Sequence, residues 1–185
     1  GTIFLEGELQ ELGAHALDLF LDGRPRIERA HDGAEAARRA DAYMNRQYLD
    51  PVFRGEYPPD LIEMFGDAWP RLRAADFDVI RTPIDFLGIN YYTRGVMRDA
   101  PGAPPLRADR VPQHQHLTTE TGWEVFPEAL DAVLAWVHAR YGDIPLYITE
   151  NGAAFYDAPY AIDGAVEDPL RVAYYRWHLR AVRHA

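Results

Sequence analysis

Apolar positions recur at helical spacing in several stretches of this chain and crowd into short runs in two others. Leu9, Leu12, Ala16, Leu19 and Phe20 predict an amphipathic helix over residues 8–22, ended by Gly23 and Pro25. Ala36, Ala40, Tyr43 and Met44 place one side of a second helix over residues 33–48. Asp50-Pro51 and Tyr57-Pro58-Pro59 then read as breaks, with a short helix from Pro59 to Phe65. The clearest stripe is Leu130, Val133, Leu134, Val137 and Tyr141, with Pro127 at the first helical position and Gly142 as its stop. A last helix opens with Asp168 as N-cap and Pro169 inside it, and puts Leu170, Tyr174, Trp177 and Ala181 on one face.

The short runs read as strands. Residues 85–92, Asp-Phe-Leu-Gly-Ile-Asn-Tyr-Tyr, are a buried strand that ends in polar and aromatic groups. Ile144, Leu146 and Ile148 lead into Glu150-Asn151-Gly152, so a second buried run breaks open on a carboxylate. Residues 94–122 lack periodicity and read as a long loop, and residues 151–167 as another. The order strand, loop, helix, strand, loop, helix predicts parallel strands with helical crossovers, hence an α/β fold. Both strands then end on one edge of the sheet, where sites in such folds are built. Alternation puts Asn90 and Tyr92 on one face of the first strand, and Leu146, Ile148 and Glu150 on one face of the second. Asn90, Tyr92 and Glu150 are expected to converge at one mouth, with Glu150 as the first candidate for chemistry.

Composition narrows that chemistry. The 185 residues include no Cys, Ser or Lys. Thiolate zinc sites, a serine triad and a Schiff-base or P-loop lysine are therefore excluded from this stretch. Asp, Glu, His, Tyr and Thr are the side chains left that can form a covalent intermediate. A net charge of −10 with scattered Arg argues against nucleic acid as a partner. No apolar run approaches a membrane span, so no membrane partner is expected. Lack of Cys fits a cytoplasmic protein. His114 and His116 are two potential metal ligands without a third, so no metal is expected and their loop reads as solvated. Asp41, Asp76 and Asp78 read as surface or capping carboxylates, Asn151 as a turn former, and Tyr174, Tyr175 and Trp177 as a packing face.

Several segments resemble a known family. Residues 85–93 (Asp-Phe-Leu-Gly-Ile-Asn-Tyr-Tyr-Thr), 121–127 (Thr-Gly-Trp-Glu-Val-Phe-Pro) and 148–152 (Ile-Thr-Glu-Asn-Gly) are similar, in order and spacing, to glycoside hydrolase family 1, the β-glucosidase family. Upstream residues 48–58 and downstream residues 163–179 continue the likeness, which runs from about Arg38 to the last residue. The resemblance implies a (β/α)8 TIM barrel of roughly 450 residues, large for that fold. This chain would hold a partial barrel over residues 31–185, strands six and seven with their helices, preceded by an N-terminal helical segment over residues 1–30.

The resemblance also implies roles. Glu150 is similar to the nucleophile of a retaining β-glycosidase and Tyr92 to the tyrosine that hydrogen-bonds it. Asn90 resembles the asparagine beside it at the glycone subsite, and Trp123 the tryptophan on the aglycone side. A retaining glycosidase pairs an ionised carboxylate that attacks the anomeric carbon with a protonated one that releases the leaving group. The substrate would be a β-glycoside, without a cofactor. The family's acid/base glutamate lies in an Asn-Glu-Pro motif, which this sequence lacks. The 185 residues are therefore expected to be inactive alone and to associate, through self-association or with a complementary barrel half. The alternative is a non-catalytic carbohydrate-binding or assembly module derived from such a barrel.

Overall fold

The computed structural model describes residues 3–4, 26–157, 160–161 and 163–185. The helix expected over residues 8–22 lies outside the described residues. The chain forms two compact units. One comprises residues 1–7, 83–94 and 112–185; the other comprises residues 8–82 and 95–111.

The first unit is α/β. Strands β1 (Ile3–Phe4), β2 (Leu87–Asn90) and β5 (Leu146–Glu150) form a three-stranded sheet in the order β1-β2-β5, with both pairings parallel. A strand at Ile3 and Phe4 is a departure from the purely helical reading of residues 1–30. The connection from β2 to β5 carries helix α5 (Glu128–Tyr141), and β5 is followed by α6 (Pro169–His184), which packs against α5. Leu130, Val133, Leu134 and Val137 of α5 are buried, as their stripe predicts, and Gly142 closes the helix at φ 91°. At that φ an L side chain is strained, so glycine is the stop. Asp168 caps α6 by accepting from the Arg171 amide. The buried residues of α6 are Tyr174 and His178, whereas Leu170 and Trp177 stay substantially exposed. The expected stripe of α6 is thus corrected to one that packs an aromatic pair, with the Tyr174 and His178 rings stacked 3.9 Å apart. Burial lowers the pKa of His178, whose Nδ1 lies 2.8 Å from the Tyr174 carbonyl.

The second unit is helical with one hairpin. Helix α1 (Arg26–Asp41) runs through a π-helical stretch, Ala42–Arg46, into α2 (Gln47–Phe53). The expected break at Asp50-Pro51 does not occur; Pro51 sits inside α2, its fixed φ compatible with a helix that ends two residues later. The chain turns instead at Gly55, φ 72°. The π-helical stretch also shifts the buried side. Buried positions run Ala36, Ala40, Ala42, Asn45 and Leu49, and Tyr43 is exposed, as the π-helical stretch changes the spacing of the buried side. Helix α3 (Pro59–Phe65) has the expected bounds. It is followed by α4 (Ala74–Ile80), where Asp76 accepts from the Arg73 amide as a capping carboxylate.

The stretch 94–122 is more ordered than its lack of periodicity suggests. It contains an antiparallel hairpin, β3 (Met97–Asp99) and β4 (Ala108–Arg110), which packs against α1. Arg39 of α1 reaches Asp99 Oδ1 at 2.7 Å and donates to the carbonyls of Leu106 and Arg107. Strands this short carry too few residues for alternation to show, and their anchor is a single arginine far away in sequence.

Candidate active site

The C-terminal ends of β2 and β5 build the site. The face of β2 that carries Leu87, Ile89 and Tyr91 is fully buried. The Tyr91 hydroxyl donates to the Phe126 carbonyl, just ahead of α5, and burial drives the Tyr91 pKa well up. The opposite face carries Gly88, Asn90 and Tyr92. Gly88 pairs with Tyr147 and Ile89 with Ile148, but Asn90 pairs with Glu150, so β5 holds an extra residue at that point. This irregularity corrects the simple alternation. Regular pleating would keep Glu150 with Leu146 and Ile148, beside Leu87 and Ile89. Instead Thr149 and Glu150 both reach the Asn90 side, as residues at a β-bulge do.

The contacts follow from that geometry. Thr149 Oγ1 donates to Asn90 Oδ1 at 2.6 Å, and the Tyr92 hydroxyl donates to Glu150 Oε2. The position of a Cβ on Gly88 would lie 3.0 Å from Thr149 Cγ2, so glycine leaves room for that threonine. Asn90 is 1% exposed, and its Nδ2 has no protein partner among the described residues. A buried amide donor without a partner is unusual in a folded protein. Glu150 itself is exposed. Trp123 stands against Tyr92, with ring centroids 5.4 Å apart and 49° between planes.

Asn151 does more than form a turn. Its Nδ2 donates to the Tyr91 carbonyl at 2.7 Å and to the Tyr174 hydroxyl at 3.1 Å, and that hydroxyl donates to the Tyr92 carbonyl. One buried tyrosine of α6 thereby ties the ends of both strands. Sequence reasoning missed Thr149 and Tyr174. Thr149 adjoins the suspected carboxylate, and its contact with Asn90 depends on the pairing of β5 with β2. Tyr174 is separated from Tyr92 by 82 positions.

The Tyr92 phenol is pushed up to about 12 from 10.0, first by its hydrogen bond to Glu150, then by burial and the carboxylate's charge. A raised folded-state pKa contributes stability that is complete below pH 10 and lost as pH rises toward 12. The difference in phenolate absorbance between the chain and its Tyr92→Phe variant should therefore titrate near pH 12. In a Glu150→Gln background that titration should fall back toward 10. A Tyr92 titration that ignores the Glu150 substitution would contradict the contact.

Comparison with known proteins gives the family. The sequence model of glycosyl hydrolase family 1 matches residues 17–185. The chain belongs to that family. Within glycosyl hydrolase family 1, it is 38% identical over 151 residues to a β-glucosidase of Agrobacterium sp., covering 80% of this chain and 32% of that protein. It is 38% identical over 184 residues to the thermostable β-glucosidase B of Thermobispora bispora, covering 96% of this chain and 38% of the relative. The crystal structure of a β-glucosidase from Exiguobacterium marinum matches with TM-score 0.73 and 38% identity, over 80% of this chain and 34% of that one. A Thermotoga maritima β-glucosidase in complex with deoxynojirimycin matches with TM-score 0.76 and 27% identity, over 98% and 36%. The family match begins at residue 17, upstream of Arg38, where the likeness read from the sequence starts. This family 1 chain thus spans 32% and 38% of the lengths of the two curated relatives. Among the described residues no helix is long and apolar enough to cross a membrane, and no cluster of three potential metal ligands occurs.

Proposed function

We propose that this chain carries the nucleophile side of a retaining β-glycosidase site that acts on β-glucoside-like substrates. The observation that carries the reading is the hydrogen bond from Tyr92 to Glu150 at the C-terminal edge of a parallel strand pair, beside the free donor of buried Asn90. Glu150 is the nucleophile. Its carboxylate oxygen forms a bond to the anomeric carbon as the bond to the leaving oxygen breaks, and water later releases the sugar. Tyr92 holds the carboxylate's rotamer through its hydroxyl. Asn90 reads a glycone hydroxyl through Nδ2, and Trp123 offers an indole face to the aglycone. The names of the relatives, β-glucosidases throughout those cited, support the substrate class. No cofactor enters.

The same proposal takes residues 31–185 as the bulk of a partial barrel, with β2 and β5 as its sixth and seventh strands, and adds to its sheet Ile3–Phe4 from the segment 1–30. Among the described residues β5 pairs with β2 on one side and with no strand on the other. An open edge of this kind favours association, either of two copies or with the complementary barrel half. A cysteine-free sequence suits the reducing cytoplasm.

An activated fluorosugar tests the nucleophile without an acid. In 2,4-dinitrophenyl 2-deoxy-2-fluoro-β-glucoside, dinitrophenolate leaves with the bonding electron pair and needs no proton. Incubation should add one fluoroglucosyl group per chain, located by peptide mass spectrometry on Glu150. The Glu150→Gln variant should stay unlabelled. Labelling at another residue, or none on a folded chain, would overturn the assignment.

A further inference from the structure

A buried ionic cluster lies behind Trp123. Glu124 is 5% exposed. Its carboxylate takes two bonds from Arg94, Nε to Oε2 at 2.9 Å and Nη2 to Oε1 at 3.2 Å, and a further bond from His116 Nδ1. The Arg94 guanidinium also lies over the Phe126 ring, 3.5 Å from its centroid, and the His116 ring stacks on Phe126. Thr93 Oγ1 donates to the Glu124 carbonyl at 2.9 Å. Both Thr93 and Arg94 directly follow Tyr92, and Glu124 directly follows Trp123.

We infer that Glu124 is a positioning residue, which with Arg94 and His116 pins the turn carrying Trp123 and so sets where the aglycone wall stands against Tyr92. This rests on the reading of Trp123 as that wall. The turn itself is short. Thr118 and Glu124 form an antiparallel bridge, the Thr119 amide donates to the Trp123 carbonyl at 2.8 Å, and Gly122 closes the turn at φ 78°. These bonds shape the turn, and the cluster, the Thr93 bond and the Tyr91–Phe126 bond tie the segment to the end of β2. Glu124 lies inside and Trp123 at the rim, 37% exposed.

Stability alone does not account for a carboxylate here. Burying a charge is costly, and an apolar residue of similar size commonly stabilises as well or better. What a bidentate Arg–carboxylate pair adds is direction, because the planar fork fits two oxygens in one orientation. The cluster fixes the turn in angle as well as in place. The angle decides whether the indole faces the space above Glu150.

Two readouts on the 185-residue chain test this. The Trp123 indole N–H resonance, identified by its loss in Trp123→Phe, should shift or broaden in Glu124→Gln and in Arg94→Lys. Arg94→Lys keeps the charge and loses the fork, so it carries the test if Glu124→Gln fails to fold. The second readout compares labelling of Glu150 by the dinitrophenyl fluoroglucoside and by 2-deoxy-2-fluoro-β-glucosyl fluoride, which has no aryl group. The variants should lose about tenfold in rate with the aryl reagent only, the size of one aromatic contact. An unchanged indole resonance in both variants, or equal losses with both reagents, would overturn the inference. Failure of both reagents on the unaltered chain would instead sink the proposed role of Glu150, and the indole resonance would then decide this inference alone.

Discussion

Replacing Glu150 by glycine is expected to lower the hydrolysis of an aryl β-glucoside by on the order of 10⁴-fold or more, as loss of an essential attacking group does in other enzymes. The measurement belongs in a polypeptide, or a mixture, that also supplies the acid-bearing strands. The 185 residues contain no Asn-Glu-Pro, and a missing general acid already costs about 10²–10⁴ in rate. Tyr92 can donate to a glutamine in place of the carboxylate, so Glu150→Gln should lose turnover without losing the fold. The glycine variant removes both charge and bulk. Added azide should therefore occupy the vacated space, attack the anomeric carbon itself and yield a glycosyl azide of inverted configuration. Tyr92→Phe should cost much less, because the carboxylate remains and only its orientation is released. Turnover in Glu150→Gly within tenfold of the unaltered protein, with no azide adduct, would remove Glu150 from the reaction.

The second large effect concerns the scaffold. Leu130 is 1% exposed on the buried stripe of α5. Leu130→Ala should lower unfolding free energy by about 2–5 kcal/mol, the sum of lost transfer energy and the cavity left behind. For a chain of this length each kcal/mol moves the melting temperature by about 2–4 °C. Val79, 75% exposed on α4, supplies the control. Val79→Ala should change stability by no more than about 0.5 kcal/mol. A thermal melt followed by circular dichroism separates the two, and equal shifts would mean that the α5 stripe is not a core. The substitution should also reach the site. The Tyr91 hydroxyl is bonded to the Phe126 carbonyl at the entrance to α5, so loosening that helix loosens the end of β2.

The open edge of β5 bears on both experiments. Association of chains through it would make apparent stability depend on concentration. Melts and labelling rates should therefore be compared at matched protein concentration.

The chain's own pattern was sufficient for much of this fold. A five-residue apolar stripe bounded by Pro127 and Gly142 can be little other than a helix, because backbone terminators and side-chain period agree there. Short apolar runs ending in Asn90-Tyr91-Tyr92 and Glu150-Asn151-Gly152 likewise announced strands with polar ends, and the helix between them implied that they run parallel. Asn90, Tyr92 and Glu150 could be gathered on one edge from those facts and from the family motifs. Other features were decided only by tertiary contacts. Pro51 sits inside α2, which follows directly on a π-helical stretch with no periodic signature. The hairpin Met97–Arg110 packs on α1, and Arg39, more than fifty residues away, is bonded to it. The extra residue in β5 brings Glu150 to the face of Tyr92, and pairing with β2 sets that register. Glu124 meets Arg94 and His116 only in the folded chain. Local sequence encodes period, caps and turns, since these depend on neighbours within a few residues. Register, buried ion pairs and the angle of a rim turn depend on which distant groups meet, and only the folded chain decides that.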